Sequence, residues 1–181
     1  MNEKTLPTAH SVLIIELTPV GSIMVSASDE GITGLCFCDI QDFTEMLAKG
    51  DAQGNGKAAE YLGLAAEQLT EYFRLYRKKF TLPLDLSGET YFTRKVLEAA
   101  AEIPYGTVIS YGELADRIGK PGSARAVGGA LGRNPVGIII PCHRVVSRDG
   151  KLHGYSARGG IRKKAELLQL EGLRIAAENV L

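Results

Sequence analysis

The residues with the clearest chemical potential lie together in Pro141-Cys142-His143-Arg144-Val145-Val146. A thiol is a nucleophile only as the thiolate, and at an ordinary pKa of about 8.5 it is mostly protonated at neutral pH, so it needs a base or a positive field. His143 and Arg144 adjoin Cys142 and are of the types that supply them. Adjacency alone is weak support, because most cysteines outside disulfides are small buried hydrophobes. Neighbouring side chains on a strand point to opposite faces, so Cys142 and His143 can cooperate only where the chain bends; Pro141 marks the expected bend. A hydrolase would also need an orienting carboxylate and an oxyanion hole, and a redox enzyme a resolving cysteine. The other two cysteines, Cys36 and Cys38, lie far upstream, and an isolated thiol suits a one-way transfer.

Cys36 and Cys38 share one strand face, and as a pair they could begin a metal site only if two further ligands joined them. His10 alone is near in sequence, so both are expected to be core cysteines, and no metal and no cofactor is expected. His10 and His153 have no partner pattern and are expected on the surface or in loops.

The elements that position these groups are read from punctuation and period. Over 181 residues, 45% apolar and 23% charged, the composition is that of a folded chain with a core of its own. No apolar run approaches the roughly 18 residues of a membrane helix, and the N-terminus lacks a secretory pattern, so a soluble protein of the cytoplasm is expected, nucleoid-associated in a prokaryote or nuclear in a eukaryote. Ser11 to Leu17, Ser22 to Ser28 and Ile32 to Cys38 alternate with turn residues and predict an antiparallel meander. Apolar residues from Tyr61 to Tyr76 recur at helical spacing, which predicts one helix over 57–79 covering that sheet. The period breaks over Phe80 to Gly88, where the charge also changes sign: residues 1–88 carry 7 Lys+Arg against 12 Asp+Glu, and residues 89–181 carry 14 against 9. The predicted domains are therefore 1–84, structural, and 85–181, carrying the chemistry.

In the second part, helices are predicted over 91–103, 111–118, 124–133 and 160–171, with a buried strand over 136–140. Ser110-Tyr111-Gly112-Glu113 has the capping-box form, and Ser123 is placed to cap the next helix, giving a helix-turn-helix. Arg125 stands in the first turn of its second helix, and Ala126, Gly128, Gly129, Ala130 and Gly132 leave that helix almost without side chains. Each glycine costs roughly 1 kcal/mol relative to alanine, so the helix serves a close approach, either to its own domain or to something outside. The eleven Lys and Arg between 103 and 165, against Glu113, Asp116 and Asp149, form a surface suited to a polyanion.

PCHRVV, with ARAVGGALGRNPV before it and GYSARGG and LLQLEG after it, resembles the O6-alkylguanine-DNA alkyltransferases, and TPVGS and EGITGL resemble that family's smaller N-terminal domain. The resemblance implies an α/β fold: a small ribonuclease-H-like antiparallel sheet with helices, then a mainly helical domain with a helix-turn-helix. It implies direct reversal of DNA damage, in which O6-alkylguanine is flipped out through the minor groove and its alkyl group moves irreversibly to Cys142. His143 matches the histidine that takes the thiol proton through a bound water, Glu171 the carboxylate that orients it, and Asn134 the asparagine that braces the cysteine turn. Arg125 matches the arginine that fills the gap in the duplex, and Tyr111 the tyrosine that turns the nucleotide. Tyr155 and Ser156 match residues against the extruded base, with backbone groups of Cys142 and Val145 reading its edge, and Thr93 matches a residue holding the phosphate backbone. The implied partner is double-stranded DNA containing O6-alkylguanine, with O4-alkylthymine a further candidate, bound by a monomer.

The chain departs from the family pattern at Gly112, beside Tyr111, and in the loop Gly119-Lys120-Pro121-Gly122, where Lys120 and Arg148 are expected to replace phosphate contacts by charge. Gly137 stands where some members carry proline, which predicts room for alkyl groups larger than methyl. The alternative is a protein that senses alkylated DNA without removing the lesion; such proteins lack the cysteine that this chain has. A sequence-specific helix-turn-helix regulator would need more side chains on its recognition helix, and a cysteine hydrolase would turn over.

Overall fold

The structure, a computed structural model, describes residues 11–16, 18–39, 56–176 and 178–181. His10 and Leu17 lie outside those residues. The chain divides into two compact units, Met1–Ser87 and Gly88–Leu181. The division falls after the 84/85 point expected from composition, because residues 83–85 pair with the first unit. Ile32 donates its N–H to Pro83 O at 2.9 Å and accepts that of Asp85 at 3.0 Å.

In the first unit, β1 (Ser11–Ile15), β2 (Ile23–Ser28) and β3 (Gly31–Phe37) form an antiparallel sheet in that order. Gly31 is required where the 83–85 segment crosses: a Cβ there would lie 2.7 Å from Pro83 backbone atoms. Helix α1 (Lys57–Phe73) packs on the sheet through Leu62, Ala65, Leu69 and Tyr72. It stops short of residue 79. Leu75 turns left-handed, φ 65°, and the N–H groups of Leu75 and Tyr76 close back onto Tyr72 O and Glu71 O. Tyr76, which continues the apolar stripe in sequence, is 82% exposed. Cys36 and Cys38 are half-buried, Cys38 just beyond β3, so neither is the core cysteine expected.

The second unit contains α2 (Tyr91–Ala101), β4 (Ile109–Ser110), α3 (Tyr111–Arg117) and α4 (Ala124–Gly132). These are followed by a 3-10 turn (Cys142–Arg144), β5 (Val145–Val146), α5 (Gly160–Leu170) and the hairpin β6 (Ile175–Ala176) and β7 (Asn179–Val180). Val96, Leu97, Ala100, Leu114, Ala115, Val127, Ala130 and Leu131, from α2, α3 and α4, are all buried. The capping box at α3 is formed: Ser110 Oγ accepts from Glu113 N at 3.1 Å and Glu113 Oε2 from Ser110 N at 2.7 Å. Ser123 does not cap α4; its hydroxyl donates to Lys120 O instead and tightens the turn between the two helices.

The apolar run 136–140 is buried, as its composition requires, but it is a turn and not a strand. Ile138 is left-handed at φ 69°, and Ile140 N donates to Val136 O at 2.9 Å. A short apolar run bounded by prolines does not by itself distinguish the two. Strands β4 and β5 pair in parallel, Ile109 with Val145 and Ser110 with Val146. That pairing ties the residue capping α3, and hence Tyr111, to the segment immediately after Cys142.

Candidate active site and DNA-binding face

Asn134, just beyond the C-cap of α4, shapes the route to the cysteine. It is buried; its Nδ2 donates to Ile140 O at 2.9 Å and its Oδ1 accepts from Val136 N at 3.1 Å, so one amide closes the turn at both ends. Pro141 then begins the 3-10 turn, with Arg144 N donating to Pro141 O at 2.9 Å. This is the bend that lets adjacent Cys142 and His143 serve one site. Cys142 is buried and not in a disulfide.

His143 is fully buried, and its Nε2 lies 2.9 Å from Glu171 Oε1. Burial holds its pKa below the ordinary 6.5, against the pull of Glu171, so the ring is neutral at neutral pH. A neutral ring beside a carboxylate carries its proton on Nε2, which leaves Nδ1 as the lone-pair acceptor. Nδ1 is buried and has no hydrogen-bond partner among the described residues. Glu171 follows α5 at its C-cap. Burial alone would raise its pKa, but hydrogen bonds from His143 and Arg144 hold it down to about 2. Arg144 Nη2 donates to Oε1 at 2.8 Å, Arg144 Nε to Oε2 at 2.9 Å, and Gly106 N to Oε2 at 3.1 Å.

Arg144, expected to supply a positive field to the thiol, is engaged elsewhere. Its guanidinium is taken up by Glu171 and Ile103 O, and lies over the Tyr105 ring at 5.8 Å. The cation that senses Cys142 is Lys164, buried on α5, with Nζ donating to Val145 O at 2.6 Å and His153 O at 3.3 Å. Burial lowers its pKa to about 8. Sequence reading missed Lys164 because it stands in the basic run Arg162-Lys163-Lys164. The signal was its spacing: positions 161, 164, 168 and 171 fall on one helical stripe, shared with apolar residues and with Glu171.

A pocket of about 750 Å³ is lined by Tyr111, Ala124, Arg125, Gly128, Gly132, His153, Gly154, Tyr155 and Ser156. The structure thus brings together Tyr111, Arg125, Tyr155 and Ser156 of the expected site residues. Burial, then the nearby charge of Cys142, pushes the phenols of both Tyr111 and Tyr155 up. Tyr111 donates its hydroxyl to His153 O at 3.1 Å. Neither Gly137 nor Cys142 is among the residues lining this pocket.

The glycines of α4 are not explained by packing within the unit. A Cβ at Gly128 would sit at ordinary contact, 3.7 Å from the Tyr111 ring; at Gly129 it would meet only the Arg133 side chain at 3.9 Å; at Gly132 it would meet nothing. Arg125, Ala126, Gly129 and Gly132 are exposed. The bare surface therefore faces outward. Lys120 and Arg148 are exposed as well.

One expectation is corrected. Thr93 is fully buried, its hydroxyl 3.0 Å from Thr90 Oγ1 and 3.4 Å from Arg133 Nη2, so its side chain cannot hold a phosphate; the exposed group it supports is Arg133. The backbone edge of Cys142 and Val145 is already engaged on one side, since Val145 O accepts from Lys164 and Cys142 O from Val145 N. Each carbonyl keeps a second lone pair for another donor.

Residues 16–86 match the family model described as the ribonuclease-like domain of 6-O-methylguanine DNA methyltransferase, and residues 91–173 match its DNA-binding domain. The methylated-DNA–protein-cysteine methyltransferase of Mycobacterium leprae is 42% identical over 154 residues, 85% of this chain and 88% of that protein. The one from Methanosarcina barkeri is 43% identical over 158 residues, 87% and 94% of the two chains. Among solved structures, the Mycobacterium tuberculosis OGT in complex with DNA aligns with TM-score 0.73 at 39% identity, covering 89% of this chain and 92% of that one. Both parts of the chain match in order, and the histidine that follows the buried cysteine is held by a buried carboxylate: the chain belongs to the methylated-DNA–protein-cysteine methyltransferase family.

Proposed function

We propose that this chain binds duplex DNA, extrudes O6-alkylguanine into the pocket beside Tyr111 and Tyr155, and transfers the alkyl group to Cys142 Sγ once per molecule. The observation that carries the reading is the buried His143–Glu171 pair next in sequence to Cys142, in which Glu171 occupies Nε2 and Nδ1 is left as the buried acceptor. In the proposed step the thiol proton passes to Nδ1 through a bridging water. The sulfur attacks the alkyl carbon, the S–C bond forms as the C–O6 bond breaks, and the electron pair goes to the purine, which takes up a proton to become guanine. A thioether is a poor leaving group, so the cysteine is not regenerated.

Extrusion is required because α4 approaches from the minor groove while O6 lies on the opposite, major-groove edge of the stacked base, out of reach of a buried thiol. Arg125, exposed in the first turn of α4 and at the pocket rim, is assigned to the gap left behind, and Tyr111 to turning the nucleotide. The bare face of α4 suits the minor groove, whose width holds bulky side chains away and whose degenerate code suits repair in any sequence. Lys120 and Arg148 are assigned to phosphates by charge.

The test is the intact mass of the protein after mixing with a duplex carrying one O6-methylguanine, with peptide mapping. One methyl addition on Cys142, saturating at one per protein, is the expected result. Tight binding with unchanged mass would make the chain a lesion sensor instead.

A further inference from the structure

Lys164 Nζ donates to both Val145 O, three residues after Cys142, and His153 O, two residues before Tyr155, which holds the two segments at one place. The three donor side chains there that respond to the charge of Cys142 are Tyr111, Tyr155 and Lys164. Two of them already have acceptors. Tyr111 donates to His153 O, and Lys164 to Val145 O and His153 O. The Tyr155 hydroxyl has none: it is buried, and no hydrogen-bond partner reaches it among the described residues. Leaving a buried hydroxyl unsatisfied costs about 1–3 kcal/mol, which calls for a physical reason. The Tyr155 ring forms part of the pocket wall while its oxygen is out of solvent's reach, so the donor serves something inside the protein.

Cys142 supplies such a partner in one protonation state only. A thiol is a weak acceptor, whereas a thiolate accepts charge-assisted hydrogen bonds. On the reading that Cys142 is the alkyl acceptor, we infer that the Tyr155 hydroxyl donates to Cys142 Sγ once the thiol proton has left. Tyr155 then has two functions: its ring bounds the base pocket and its hydroxyl holds the nucleophile in the charged form. The other groups around Cys142 are Tyr111 on α3, Lys164 on α5, His143 and Arg144 on its own turn, and Glu171 behind His143. A Tyr155→Phe change leaves all of them in place and keeps the ring.

The test follows carboxamidomethylation of Cys142 by iodoacetamide against pH, read by peptide mass mapping, in the full-length wild type and Y155F. The midpoint should rise by about one unit in Y155F, with the rate on its acid side falling about tenfold, the size of one hydrogen bond to a charged group. An unchanged midpoint overturns the inference. If Y155F does not fold, wild-type protein labelled with carbon-13 at tyrosine Cζ decides: the Tyr155 resonance should step at the Cys142 midpoint and lose that step in Cys142→Ala, and a resonance without the step overturns it. If wild type takes no methyl group from an O6-methylguanine duplex while the Tyr155 effect persists, only the repair reading falls.

Discussion

The two units bury polar groups of different kinds. Among the described residues the first buries Ser11, Ser26 and Gln68, all neutral; the second buries the neutral Thr93 and Asn134 and, with them, four ionisable groups, His143, Arg144, Lys164 and Glu171. In the first, the contacts are local and self-contained: Ser26 Oγ lies 2.9 Å from Thr33 Oγ1, and Gln68 exchanges two hydrogen bonds with Thr81. In the second, one carboxylate, that of Glu171, collects donors from His143, Arg144 and Gly106. Burying charge costs several kcal/mol per ion before pairing recovers it, and replacing such pairs by apolar residues is often neutral or stabilising. The second unit therefore carries a costly arrangement that packing alone does not call for. The difference teaches where chemistry resides: cost concentrates where a reaction has to be held in place.

The sharpest way to break this comparison is Cys142→Ala. Methyl transfer from an O6-methylguanine duplex should disappear entirely by mass, while DNA affinity measured by titration stays near wild type, because the thiol is buried and α4 makes the outward face. Loss of both together would mean that the row and the face are one structural unit. Next in size is Glu171→Gln set against Asp85→Asn. Removing the Glu171 charge leaves Arg144 buried without its counter-ion and should cost about 3–5 kcal/mol in the second unit. Asp85 accepts from Ser28 and Ser87 at a half-exposed site in the first, and its loss should cost about 1 kcal/mol. Hydrogen exchange on the full chain, resolved by unit, measures both; equal losses would erase the contrast.

Acid should separate the units in the same direction. His143 is held below 6.5 and Glu171 at about 2 against an ordinary 4.5, so each binds fewer protons folded than unfolded. Their contributions are present above the unfolded values and are lost as pH falls, His143 below about 6.5 and Glu171 below about 4.5. Lys164, lowered to about 8, adds a cost to the charged form that is complete below that pH. In the first unit Asp85 is the described group with a resolved shift, also downward. Between pH 7 and 4, exchange protection in residues 88–181 should decline before that of the β1–β3 sheet. The reverse order would show that the buried ions are not what sets acid stability.

How much of this was legible beforehand follows from the physics of each signal. The α3 capping box was readable because it depends on two residues at fixed spacing, Ser110 and Glu113, whatever the rest of the chain does. The meander was readable from alternation and turn residues. The end of α1 was not, because Leu75 and Tyr76 look apolar in sequence and only the left-handed turn shows that they leave the stripe. The row Cys142–His143–Glu171 came from family resemblance; pattern alone reached no further than the Cys142–His143 pair, since nothing local links position 171 to 143. Lys164 was hidden by charged neighbours, and Thr93 was misread because a motif match does not report burial.

The smallest effect is the one with opposed signs. Gly129 stands in the middle of α4, exposed, outside the left-handed region, and a methyl group added there would meet only the Arg133 side chain at 3.9 Å. Gly129→Ala should therefore stabilise the second unit by up to about 1 kcal/mol, the helix-propensity gain with little steric cost. The same methyl projects from the face assigned to the minor groove, so affinity for duplex DNA should fall severalfold, and fall further with Gly129→Leu. Stability rising while binding falls is a signature that internal packing cannot produce, because a glycine kept for packing loses stability when it is filled. If instead Gly129→Ala left DNA affinity untouched, the bare surface of α4 would have to be explained by something other than close approach to the duplex.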